Sequence, residues 1–92
     1  MDKLQQLGLM DKIQRELKDL EQSQTAVLKK VSQIAAHNIT LGANLLEQKL
    51  PDLQEKIDAC VISINEISEA FAEHRDKFFT ENKLGAQLDP TA

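Results

Sequence analysis

The amino-acid sequence predicts an all-α fold, an antiparallel two-helix hairpin of the coiled-coil kind that assembles into a helical bundle, and three observations carry that expectation. The first is composition. The 92 residues include three Phe and neither Trp nor Tyr, while Leu, Ile, Gln, Glu, Lys and Ala dominate, which suits long helices rather than sheets. The second is periodicity, because apolar residues recur at alternating spacings of three and four through most of the chain, a pattern that a strand cannot produce. The third is a change of phase beside a glycine near mid-chain, where one straight helix cannot keep both stripes on a single partner.

The first element is a helix over about residues 3–41. Its seam runs Met10, Ile13, Leu17, Leu20, Gln24, Val27, Val31, Ile34, Asn38 and Leu41, more than four heptads long. Leu28 and Ala35 flank it. Leu4, Leu7 and Leu9 fall off these positions and Gly8 interrupts them, so residues 1–8 are expected to cap a bundle end or touch a partner.

The turn is expected at 42–44. Gly42 suits the left-handed position just past a helix end, and Asn44 followed by Glu47 resembles a capping box with Asn as its cap. Opposed positions on the two arms then sum to about 86, as a tight helix-helix connection requires.

The second helix is expected over 45–83. Its seam runs Ile39, Ala43, Leu46, Leu50, Leu53, Ile57, Cys60, Ile64, Ile67, Phe71, His74 and Phe78. Pro51 is a rival turn site, since it lacks a backbone donor and disfavours helix at Leu50. The four-three-four spacing through Leu46, Leu50, Leu53 and Ile57 stays in phase across it, which predicts a kink rather than a turn. Gly85 and Pro90 end the pattern, leaving 84–92 as a flexible tail.

The apolar stripe is wider than two helices need. Leu28 and the run Ala59-Cys60-Val61-Ile62-Ser63-Ile64 put apolar groups on nearly every face, and a lone hairpin would leave many of them in water. The residues expected to form a protein interface are Met10, Ile13, Leu17, Leu20, Val27, Leu28, Val31, Ile34, Leu46, Leu50, Leu53, Ile57, Val61, Ile64, Ile67, Phe71 and Phe78. Partners are other proteins, either further copies or the subunits of a helical complex. Residues 31–46 carry no charge in a chain that is 28% charged; they read either as a docking tip or as the buried middle of an assembly.

Charge and chemistry exclude other classes. Net charge is -4 with the two signs interleaved, so no basic field holds a phosphate backbone and nucleic acid is not an expected partner. No stretch is apolar enough to span a membrane. The N-terminal residues have no apolar signal core and there is one cysteine, which together predict a reducing, cytoplasmic setting. Cys60 in an apolar run reads as a small, inert core residue.

His74 would serve as a pH switch only if buried. His37, Cys60 and His74 have no metal-ligand spacing, the carboxylate pairs Asp52/Glu55 and Glu66/Glu69 lie on outer faces, and the glycines at 8, 42 and 85 form no phosphate loop. No catalytic, cofactor or metal site is expected, and the chain reads as a non-catalytic scaffold or adaptor subunit.

In architecture, a short hairpin with a mid-chain glycine resembles the W-x-G family of small proteins exported by type VII secretion systems, with Thr40-Leu41-Gly42 at the corresponding place. The tryptophan is absent, and Phe78 and Phe79 are followed four residues on by Asn82 and Lys83 rather than by the acid of an export signal. The resemblance implies an alternative role, a secretion-system chaperone or exported hairpin. The same pattern is equally similar to coiled-coil subunits of eukaryotic organelle-biogenesis complexes, so it singles out no family.

Overall fold

A computed structural model describes residues 1–85 of the chain. Two long helices, α1 (Lys3–Leu41) and α2 (Asn44–Glu81), pack antiparallel along their lengths. The molecule measures 66 × 22 × 16 Å. One helix diameter is about 10–12 Å, so the hairpin is a single layer and each helix has one neighbour.

Both ends of α1 are held by short polar groups. At its start Asp2 and Gln5 form a capping box, in which the Gln5 N–H donates to Asp2 Oδ1 at 2.7 Å and the Asp2 N–H donates to Gln5 Oε1 at 3.0 Å. Two helix-end donors are thereby satisfied. At its end Gly42 adopts φ 70°, ψ 30°, and its N–H donates to the Asn38 carbonyl at 2.7 Å. That left-handed geometry costs any residue with a Cβ about 1 kcal/mol or more.

The cap of α2 differs from the one the sequence suggests. Asn44 is the first helical residue, and Ala43 is the cap, without a side-chain bond of its own. Asn38 instead braces the turn from the other helix: its Nδ2 donates to the Ala43 carbonyl at 3.1 Å, and its Oδ1 accepts from the Ala43 N–H at 2.9 Å. The buried carboxamide holds both backbone groups of the turn residue but does not reach the free N–H groups in the first turn of α2. α2 then continues as helix through Pro51, so the rival turn site is not used.

The far end also departs from expectation. α2 stops at Glu81, where the Asn82 Nδ2 and N–H both donate to the Phe78 carbonyl. Lys83 takes φ 54° and turns the chain back. Leu84 is then fully buried at 0% exposure, so the expected flexible tail does not begin there; residues 86–92 lie outside the described part. Leu7, read as off-seam, is also buried.

Two glycine substitutions have opposite expected signs. Gly8 lies inside α1 at an exposed position with ordinary helical backbone and nothing within 4 Å of an added Cβ, so Gly8→Ala is expected to stabilise by about 0.5–1 kcal/mol. Gly42→Ala meets no atom within 4 Å either, and its cost of about 1 kcal/mol is pure backbone strain. Urea unfolding followed by circular dichroism reads both; equal effects would contradict the turn geometry.

Candidate functional site

The two helices meet along a seam that shares only alternate positions with the pattern in the sequence. On α1 the residues turned toward α2 are Leu7, Met10, Gln14, Leu17, Glu21, Gln24, Leu28, Val31, Ala35 and Asn38; on α2 the run from Ile57 is Ile57, Val61, Ile64, Ser68, Phe71, Arg75 and Phe78. Near the tip Leu46 and Leu50 are half-buried against α1. Thus Met10, Leu17, Leu28, Val31, Leu46, Leu50, Ile57, Val61, Ile64, Phe71 and Phe78 of the expected interface serve the hairpin itself.

The other expected interface residues do not. Ile13, Leu20, Val27 and Ile34 each keep 37–44% of their surface, Leu53 keeps 46% and Ile67 keeps 55%. Cys60 and His74, expected in the same seam, are exposed as well, so Cys60 is not a core residue and His74 is not a buried switch. The His74 ring instead lies 5.9 Å from that of Phe71, tilted by 36°.

The physical reason is a rotation. Except for Leu53, each exposed residue immediately precedes an inward one, as Ile13 precedes Gln14, Leu20 precedes Glu21, Cys60 precedes Val61 and Ile67 precedes Ser68. Neighbouring residues on a helix are about 100° apart, so the exposed set is turned to the side. In two antiparallel helices the same sense of rotation leads to the same broad face of the pair. Ile13, Leu20, Val27, Ile34 and Leu41 of α1 therefore share one face with Leu53, Cys60 and Ile67 of α2. At 1.5 Å per residue the α1 stripe is about 42 Å long.

What lies inside at the same levels is polar. Gln14 Nε2 donates to the Ser68 carbonyl at 3.0 Å and lies 3.1 Å from Ser68 Oγ, while Gln14 Oε1 is buried without a partner. With its amide turned to donate, Asn65 gives Nδ2–H to both Glu21 carboxylate oxygens at 2.9 and 3.0 Å. Asp11 Oδ1 accepts from Arg75 Nε at 2.8 Å; this bond raises the Arg75 pKa, against a smaller opposing effect of burial. The register of Asp11 with Arg75 is the one that a turn at Gly42 implies.

Charge around the apolar face is uneven. Along its α2 edge stand Lys49, Lys56 and Lys77, all on one heptad register. That register itself holds no carboxylate: Glu66 and Glu73 lie on the outer ridge and Glu55, Asp58, Glu69 and Asp76 toward the opposite face, while Asp52 on the ridge and Glu81 on the register of Ile67 come within reach of Lys56 and Lys77. Lys56 reaches Asp52 at 3.6 Å and Lys77 reaches Glu81 at 3.9 Å, both pairs highly exposed and so of little energetic weight. The α1 edge is mixed, with Leu9, Glu16, Ser23, Lys30 and His37.

The opposite broad face is mostly polar, carrying Asp11, Lys18, Thr25 and Ser32 beside Asp58 and Asn65. Near the tip it holds a shallow cleft of about 170 Å³, lined by Ala35, Asn38, Ile39, Leu46, Glu47, Leu50, Pro51 and Gln54. That cleft has one charged group and no converging set of donors or nucleophiles. Among the described residues no three His, Cys, Asp or Glu side chains come together as a metal site, and no helix is long and apolar enough to cross a membrane.

Compared with known protein families, curated proteins and solved structures, the chain matches none. Sequence periodicity finds the apolar residues but not the Asn38 brace or the inward Gln14, Glu21 and Ser68, because a polar residue at a flanking position leaves no periodic signal.

The exposure of Cys60 has a direct check. The native chain is expected to react with a thiol reagent at a rate close to that of the unfolded chain, whereas a Cys60 packed in the seam would react only on unfolding.

Proposed function

We propose that the protein is a non-catalytic association module, a scaffold or adaptor subunit that lends two helices to a larger helical bundle through the face bearing Leu20, Val27, Ile34, Leu53 and Ile67. The single observation that carries this reading is the inversion at the level of Gln14, Glu21 and Ser68, where polar side chains occupy the inter-helix seam while Ile13, Leu20 and Ile67 point to water. A hairpin built to stand alone would gain by the reverse arrangement, since each large apolar side chain buried is worth about 1.5–3 kcal/mol.

Two further features support it. The buried apolar side chains among the described residues are Leu7, Val31, Ile57, Ile64 and Leu84, a thin core for a chain of 92 residues. In addition, the exposed residues complete an alternating three-four pattern with Met10, Leu17, Val31, Ile57, Ile64 and Phe71, so the positions used within the hairpin and those left free together form the seam of a bundle. No enzyme chemistry is assigned to the cleft near the tip, which lacks convergent polar groups.

The test is thermal unfolding of the chain, with light scattering on the same samples, as a charge-balanced synthetic helix with Leu/Ile heptads is titrated in. Melting temperature is expected to rise with either the probe or the chain's own concentration, and the rise is expected to vanish in Leu20→Glu/Ile67→Glu. Ile64→Asp, which buries an unpaired charge inside the hairpin, is expected to abolish helicity with or without the probe. A melting temperature indifferent to both concentrations, with a monomeric mass throughout, would contradict the association reading.

A further inference from the structure

We propose that the occupant of the apolar face is an amphipathic helix of another protein, one whose edge along α2 carries Asp or Glu at heptad spacing, and not a second copy of this chain. The inference rests on the association reading above and adds the chemistry of the partner. Its basis is the α2 edge, where Lys49, Lys56 and Lys77 stand on one register that holds no carboxylate; Lys56 and Lys77 have only highly exposed partners on their own helix, Asp52 at 3.6 Å and Glu81 at 3.9 Å, which leave them free to turn to another chain.

Charges at the edges of a heptad seam select the partner and its orientation more than they add affinity. A second copy cannot answer these lysines. In a two-fold dimer with both tips at the same end, the α2 edge faces the α1 edge of the other copy, and the Asp11–Arg75 register brings Lys56 level with Lys30 and Lys49 level with His37. With tips at opposite ends, the α2 edges face each other; centred on mid-helix, that arrangement sets Lys49 against Lys77 twice, and the Glu16–Lys30 attraction it gains lies on the other edge. Neither arrangement brings a carboxylate to the α2 lysines. Like charges held opposite one another disfavour a pairing, which is how coiled coils exclude wrong partners.

An anionic lipid surface would also meet lysines, but two features of this face favour a helix. The stripe keeps a seven-residue repeat on both α1 and α2, which matches a supercoiled helix rather than a flat surface. The chain also carries a net charge of -4, which opposes approach to an anionic bilayer.

The experiment uses the full chain and two synthetic helices with identical Leu/Ile heptads, one bearing Glu and the other Lys at the edge positions. Binding is followed by fluorescence anisotropy at low and high salt, with the chain's mass measured in parallel. The Glu-edged helix is expected to bind at least about fivefold more tightly at low salt, given up to about 1 kcal/mol for each exposed pair. High salt is expected to shrink the difference. Lys49→Glu/Lys56→Glu/Lys77→Glu is expected to reverse the preference, and the triple Gln variant to erase it while keeping the helical spectrum.

Equal affinity for the two helices would overturn the proposal and leave the association reading standing. So would a stable dimer that excludes both helices and is lost in Leu20→Glu, because a second copy would then cover the face. Sedimentation with phosphatidylserine vesicles that neither helix competes away would assign the face to lipid and overturn it equally. A chain that stays monomeric and binds neither helix would take down this proposal and the association reading together.

Discussion

The bonds between Asn38 and Ala43 are the constraint on which the rest of this hairpin depends. They fix where α2 begins and how far it is rotated as it leaves the turn, and Gly42 makes that exit possible by accepting a positive φ. Once that rotation is set, Ile57, Val61, Ile64 and Ser68 meet α1, and Cys60 and Ile67 do not. A rotation of one residue, about 100°, would have turned Cys60 and Ile67 inward. The consequence is a slab one helix thick with two unlike faces.

The face left open is chemically better suited to burial than parts of the seam that is closed. Gln14, Glu21 and Asn65 spend hydrogen bonds on holding two helices together, and one of their acceptors, Gln14 Oε1, finds no partner. Such polar layers fix register at some cost in stability. They leave Leu20, Val27 and Ile34 exposed on one face, and they explain how one chain can keep a defined shape with apolar surface in water.

The helical class, the hairpin and the place of the turn were legible from the three-four spacing and Gly42, because both are written in residue types that have few other uses. Which half of each seam faced inward was not legible. Met10 and Ile13 are equivalent as letters in a heptad, and only the rotation at the turn decides that Met10 packs against α2 while Ile13 does not. The exposure of Cys60 is hidden for the same reason, since an apolar neighbourhood in sequence is not a buried one when the helix has a single neighbour. Asn44 has the residue type of a cap, but α2 begins one residue earlier than that reading needs, with Ala43 at the cap position and its backbone held by Asn38 of the preceding helix. Leu84 escaped notice because it follows the end of the periodic pattern, where a left-handed Lys83 returns the chain to the bundle end.

The most direct measurement of this account is solvent paramagnetic relaxation at the methyl groups of the free chain, which reads each apolar side chain separately. Strong enhancement at Leu20, Val27, Ile34 and Ile67, with weak enhancement at Val31, Ile57 and Ile64, is the result the account predicts. Weak enhancement at both sets would mean that the apolar face is already covered, and strong enhancement at Val31, Ile57 and Ile64 would mean that the helices meet on a different register; either result would contradict it.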